Sequence, residues 1–137
     1  MRELSGIPSE AIEQAVQDLE AVEADSRYVV DMGDWHRYFP EYETCSVCLA
    51  GAVMAKSLDA AADKDYSPTT LFDPSTSNRL RGLDKFRAGL IDEGLRLFGR
   101  GLSIPMSDVV HMSYGSNPAL FKQQMRELAA RLRAAGL

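Results

Sequence analysis

The sequence predicts an all-α fold, one domain over residues 1–137 built as a compact bundle of four to six helices, with room for one short strand or hairpin near residues 28–39. Two segments, 9–24 and the one that follows Asn117, repeat apolar residues at steps of three and four, the mark of an amphipathic helix. A third, Val47 to Ala55, is apolar almost without a break, as a helix buried on all sides would be. Against these, only Tyr28 to Met32 is β-branched and aromatic enough to suggest a strand, and so short a run cannot make a sheet alone.

The first helix is expected from Ser9 to about Ala24, with Ser9 as N-cap behind Pro8. Ile12, Ala15, Val16, Leu19 and Val22 form its dry stripe; Glu10, Glu13, Asp18, Glu20 and Glu23 form its wet face. Tyr28–Met32 then reads as extended chain, broken by Gly33. The second helix is expected from Thr44 or Cys45 to about Leu58, buried at the centre of the bundle. On it Cys45, Cys48, Ala52 and Ala55 would share one narrow face with Gly51 nearby, a surface small enough for another helix to approach closely.

Residues 59–77 form a polar connection. A third helix is expected from Asn78 to about Phe98, carrying Leu83, Phe86, Leu90 and Leu97 as its stripe. Gly82, Gly89 and Gly94 lie inside it at a cost of about 1 kcal/mol each relative to alanine. A short helical turn is expected around Ser107–Met112. Asn117 then caps the last helix, Pro118 fits its first turn, and Phe121, Met125, Leu128 and Leu132 fall on one side.

Composition narrows the function classes. The chain is 45% hydrophobic and 26% charged, the balance of an ordinary globular domain. No apolar run approaches the roughly 20 residues of a membrane span, and the N-terminus turns acidic at once, unlike a secretory signal. A cytoplasmic protein is therefore expected, with Cys45 and Cys48 as thiols. A net charge of −5 argues against nucleic acid as a partner. That charge is uneven: residues 1–66 carry 5 Lys/Arg against 14 Asp/Glu, and residues 67–137 carry 10 against 6. Such polarity suits either a charged partner or two halves that neutralise each other, and the second is the simpler expectation.

The residues that carry chemistry crowd into Asp31–Ala55. Cys45-Ser46-Val47-Cys48 is a CxxC, the spacing of redox pairs and of half a zinc site. Redox proteins of the thioredoxin kind set it after a strand in an α/β fold, a pattern this sequence does not suggest. Zinc would draw on Cys45, Cys48 and His36, with His111 as a fourth ligand, but no second close pair is present. The expectation is therefore no cofactor and two thiols packing a helix interface, with zinc as the alternative. Asp31, Asp34 and His36 offer an acid–base set; with no nucleophile or oxyanion loop at hand, the carboxylates read better as turn caps and His36 as a partner for a backbone carbonyl. Gly99-Arg100-Gly101 and the Ser113–Asn117 loop match no phosphate-binding pattern.

DMGDWH followed by CSVCLAG, Asp31 to Gly51, resembles a signature of small uncharacterised proteins encoded by bacteria and their phages: Asp-Met-Gly-x-Trp-His, then Cys-x-Val-Cys-Leu-Ala-Gly. The resemblance implies a phage or prophage accessory protein and carries over no activity, cofactor or catalytic residue. Together these readings predict a non-enzymatic accessory protein that acts through contacts with a protein partner or a second copy of itself. The DWHRYF segment, the acidic first helix and the 59–77 connection are the expected contact regions.

Overall fold

A computed structural model describes residues 5, 7–66, 114, 117–134 and 136. Within them the chain is an α/β structure: helix α1 (Pro8–Glu23), strands β1 (Tyr28–Val30), β2 (His36–Phe39) and β3 (Thr44–Val47), then helices α2 (Leu49–Lys56) and α3 (Pro118–Ala134). The expected all-α bundle of four to six helices is therefore wrong. A three-stranded mixed sheet in the order β1-β3-β2 replaces its centre, with β1 parallel and β2 antiparallel to β3. The helix expected from Asn78 and the turn near Ser107–Met112 lie outside the described residues.

The error has a physical source. β3 is the central strand and is buried over Cys45, Ser46 and Val47, so both faces are dry and the alternation that betrays a half-exposed strand is missing. Its apolar letters run straight into α2, whose residues Leu49 to Ala55 are all buried. Strand and helix thus fuse into one apolar run that periodicity cannot divide. Thr44 is the first residue of β3, and the cap of α2 is Cys48.

The two flanking helices match their patterns. α1 begins at Pro8 with Ile7 at the N-cap, shifted slightly from the expected Ser9, and Ser9 itself is buried. It packs against α2, α3 and β1, which explains why Ala15, Leu19 and Val22 are wholly inaccessible. α3 is capped as its sequence predicts, with the Leu120 amide donating to Asn117 Oδ1 at 3.1 Å. Phe121, Met125, Leu128 and Leu132 are its buried stripe.

α1 and α3 run antiparallel, and their charges interlock. Glu13 pairs with Arg133 at 2.8 Å, Glu20 with Arg126, and Glu23 with Lys122 at 2.9 Å. As the α1 number rises the α3 number falls by nearly the same amount, so the pairs set one register along the seam. Exposed ion pairs contribute little to stability, but opposite signs in register disfavour a slipped packing. The acidic first half and the basic second half therefore neutralise each other where these helices meet.

A buried polar contact joins α1 to the end of α2. Ser57 Oγ, fully buried, donates to Asp18 Oδ2 at 2.5 Å, and Asp18 is itself buried. Gln14 Nε2 reaches the same hydroxyl at 3.5 Å. Ser57→Ala removes a charge-assisted donor from a buried carboxylate, so it should lower stability by about 2 kcal/mol, read as a fall in the urea midpoint at unchanged slope.

Candidate functional site

The order β1-β3-β2 forces the chain to cross the end of β3 between its first two strands. Residues 31–35 make that crossing. Asp31 shapes it as an Asx turn, its Oδ1 accepting the Gly33 amide at 2.8 Å while its carbonyl accepts the Asp34 amide at 3.1 Å. The crossing lays the Trp35 backbone on the first turn of α2. A Cβ added to Gly51 would lie 1.7 Å from the Trp35 carbonyl oxygen and 2.9 Å from its carbon. Glycine is what permits the approach. Cys48 Sγ lies 3.9 Å from the same oxygen.

His36 follows at the start of β2 and turns its ring into the core. It is 1% exposed, and Cys45 on β3 is 0% exposed. His36 Nδ1 stands 2.9 Å from the Lys64 carbonyl, which can only accept, so in the neutral ring Nδ1 carries the hydrogen. Cys45 Sγ lies 3.2 Å from Nδ1 and 3.7 Å from Nε2. Such similar distances put the sulfur against the flank of the ring instead of on the line of one lone pair. Tyr66 meets the ring edge-on at 5.0 Å and Tyr28 at 6.3 Å.

The site extends into the segment after α2. Three successive residues there close the outer edge of β2: the Lys64 carbonyl takes His36 Nδ1, Asp65 Oδ1 takes the Tyr38 amide at 2.8 Å, and the Tyr66 amide donates to the His36 carbonyl at 2.8 Å. No sequence signal pointed to this strap, because its bonds come mainly from the backbone.

Electrostatics follow from burial. Burial pushes the Cys45 thiol up to about 12, with the negative charges of Asp65 and Asp34 adding to it. Burial also lowers His36, against the hydrogen bonds to the Lys64 carbonyl and its own carbonyl. The pair is thus a neutral thiol beside a neutral imidazole. An activated cysteine needs the reverse, a thiolate held by positive charge.

Of the sequence-derived candidates, the geometry brings together Cys45 and His36. Cys48 is directed to the Trp35 carbonyl, and Asp31 turns back on its own loop. Among the described residues no three His, Cys, Asp or Glu side chains gather as a metal site would need. His111, Gly99–Gly101 and most of the Ser113–Asn117 loop lie outside the described residues. The CxxC does run from a strand into a helix, a setting the all-α expectation could not supply. Yet Cys45 lies inside the strand, so the expected helical face shared by Cys45, Cys48, Ala52 and Ala55 does not exist. The signature letters Asp31, Gly33, Trp35, His36, Cys45, Cys48 and Gly51 are instead one joint, in which the crossing chain is seated on β3 and α2.

Outside this joint, Arg37 and Phe39 point to the opposite face of the sheet from His36, as alternation along β2 requires. The Arg37 guanidinium stacks over the Phe39 ring at 4.8 Å, and Tyr42 at the β2–β3 turn is 73% exposed. Among the described residues no helix is long and apolar enough to cross a membrane. No protein-family model, no curated protein and no solved structure matches the chain.

Proposed function

We propose that this protein is a cytoplasmic accessory protein that works through protein contacts and not by catalysis. The observation that carries the reading is the sealing of its reactive groups: His36 and Cys45 are buried and neutral, with the thiol at about 12. Chemistry-bearing residues spent on a joint leave the surface to do the work. The surface that suits contact is the β2 side of the sheet, where Arg37 lies over Phe39 and Tyr42 stands clear at the turn. Arginine and tyrosine are the side chains that most often anchor interfaces. Two free cysteines support a reducing compartment. The resemblance to phage-encoded proteins supports a phage or prophage origin.

The test is affinity capture with the wild type and with the double variant Arg37→Glu, Tyr42→Ser. Both positions are exposed, so the variant should keep the wild-type unfolding midpoint to within about 0.5 kcal/mol. A partner recovered by the wild type and lost by the variant is expected. Equal recovery by both, or none by either, overturns the reading.

A second reading, a thiol- or metal-dependent protein, rests on the 3.2 Å approach of Cys45 Sγ to His36 Nδ1. Elemental analysis decides it. Stoichiometric zinc or iron that disappears on Cys45→Ser would replace the contact reading.

A further inference from the structure

The two edges of the sheet are treated differently. The β2 edge is closed by Lys64, Asp65 and Tyr66. Among the described residues the β1 edge is open. Arg27 and Asp31 direct their backbone groups to β3, since the Arg27 carbonyl accepts the Cys45 amide and the Asp31 amide donates to the Val47 carbonyl. By alternation the backbone groups of Val29 also point to β3, while those of Tyr28 and Val30 point away from it, to the edge. The Tyr28 amide is used at 3.0 Å by the Asp25 carbonyl. The Tyr28 carbonyl and both backbone groups of Val30 have no partner among the described residues. A strand edge with unpaired backbone groups is a template for another strand.

The side chains along this edge are self-complementary. Arg27-Tyr28-Val29-Val30-Asp31 is centred on Val29, with opposite charges at equal distance on either side. Arg27, Val29 and Asp31 share the outer face, and Val29 there is 50% exposed. We propose that β1 is a self-association edge, pairing antiparallel with β1 of a second copy about a two-fold axis at Val29, so that Arg27, whose guanidinium holds Asp25 of its own chain at 2.7 Å, also comes opposite the partner's Asp31.

The hydrogen-bonding pattern fits that register. Tyr28 falls opposite the partner's Val30, and both direct their backbone groups across the new seam. Each Val30 amide then donates to the partner's Tyr28 carbonyl. The two Val29 residues form the non-hydrogen-bonded pair at the axis, where side chains stand closest, and an ion pair flanks them on each side. Two three-stranded sheets become one of six strands. A contact made by one short strand per copy is small, so the dimer is weak and concentration-dependent. The inference goes beyond the contact reading above, because it needs no foreign partner and is tested on purified protein alone.

Sedimentation velocity over a concentration series is the measurement, with native mass spectrometry as a second readout. The wild type should move from monomer to dimer, and Val29→Lys should weaken that step about tenfold or more, as lysine on an open edge does. Arg27→Glu and Asp31→Lys should each weaken it, since each places like charges opposite one another at both ends. Mixing those two variants should restore a heterodimer, because both ends then carry opposite signs. Recovery on mixing cannot come from a folding defect in either chain. A wild type that stays monomeric into the millimolar range overturns the proposal. So does a dimer indifferent to Arg27→Glu, or a mixture that fails to recover.

Discussion

Gly51→Ala should destabilise this protein by about 3 kcal/mol or more, at the upper end of what overpacking a core costs. Ordinary helix energetics predict the opposite sign, since alanine is favoured over glycine within a helix by about 1 kcal/mol. The clash decides. The added methyl would sit 1.7 Å from the Trp35 carbonyl oxygen and 3.0 Å from Val47 Cβ. Neither neighbour is the loose end of a flexible side chain. Trp35 is held in place from both directions, by the Asp31 turn before it and by the His36 contacts after it. Relief would require lifting the 31–35 crossing off α2 or pushing α2 out of the core. Urea denaturation of Gly51→Ala beside Ala50→Gly checks this: both variants should lose stability, and Gly51→Ala should lose clearly more. A Gly51→Ala variant as stable as the wild type would show that the 31–35 crossing does not press on α2 as described.

How much of this was legible depended on whether an element keeps a wet side. α1 and α3 each alternate dry and wet faces at helical spacing, and both lie where the pattern places them. The interlock of Glu13, Glu20 and Glu23 with Arg133, Arg126 and Lys122 was implicit in the uneven charge, although only structure pairs the residues. β2 and β3 escaped notice for opposite reasons. β2 mixes a buried His36 with an exposed Arg37 over too few residues to establish a period. β3 is dry throughout, so it merges with the helix that follows it.

The site was legible as a location, and so were Asp31 as a turn cap and His36 as the partner of a backbone carbonyl, while the two cysteines were misread as one helix face. Rare residues crowding into Asp31–Gly51 suggested chemistry, a turn anchored by Asp31 and His36, or a helix face shared by the cysteines. Their real constraint is topological. A parallel β1–β3 pair with β2 between them in sequence needs a chain crossing, and a crossing needs a tight turn, a glycine beneath it and anchors beyond it. Asp31 and Gly33 supply the turn, Gly51 the space, and His36 and Cys45 the anchor. Nothing in residue spacing distinguishes such a joint from a ligand set, because both demand particular residues at fixed places.

His36 carries the second large effect. His36→Ala should cost about 3 kcal/mol near neutral pH. It empties a fully buried ring position, strips the edge-on contacts to Tyr66 and Tyr28, and leaves the Lys64 carbonyl without its donor. The cost should also depend on pH, and the sign follows from burial. Burial holds the folded-state pKa of His36 below its ordinary 6.5, so the unfolded chain takes up a proton first. Its contribution is fully present above about pH 6.5 and is lost progressively as pH falls from there toward the lower folded-state value. Carboxylates titrate mainly below about pH 5, so the interval between these values isolates histidine. Urea midpoints across that interval should fall for the wild type more steeply than for His36→Ala. The gap between the two should therefore narrow on acidification, while any contribution from His111 cancels in the comparison. The strap should loosen along with the ring, so the Tyr66 amide should gain hydrogen exchange in His36→Ala at neutral pH and in the wild type toward pH 5. A gap that stays constant or widens as pH falls would mean that His36 is charged in the folded protein, and the neutral thiol–imidazole joint would have to be abandoned.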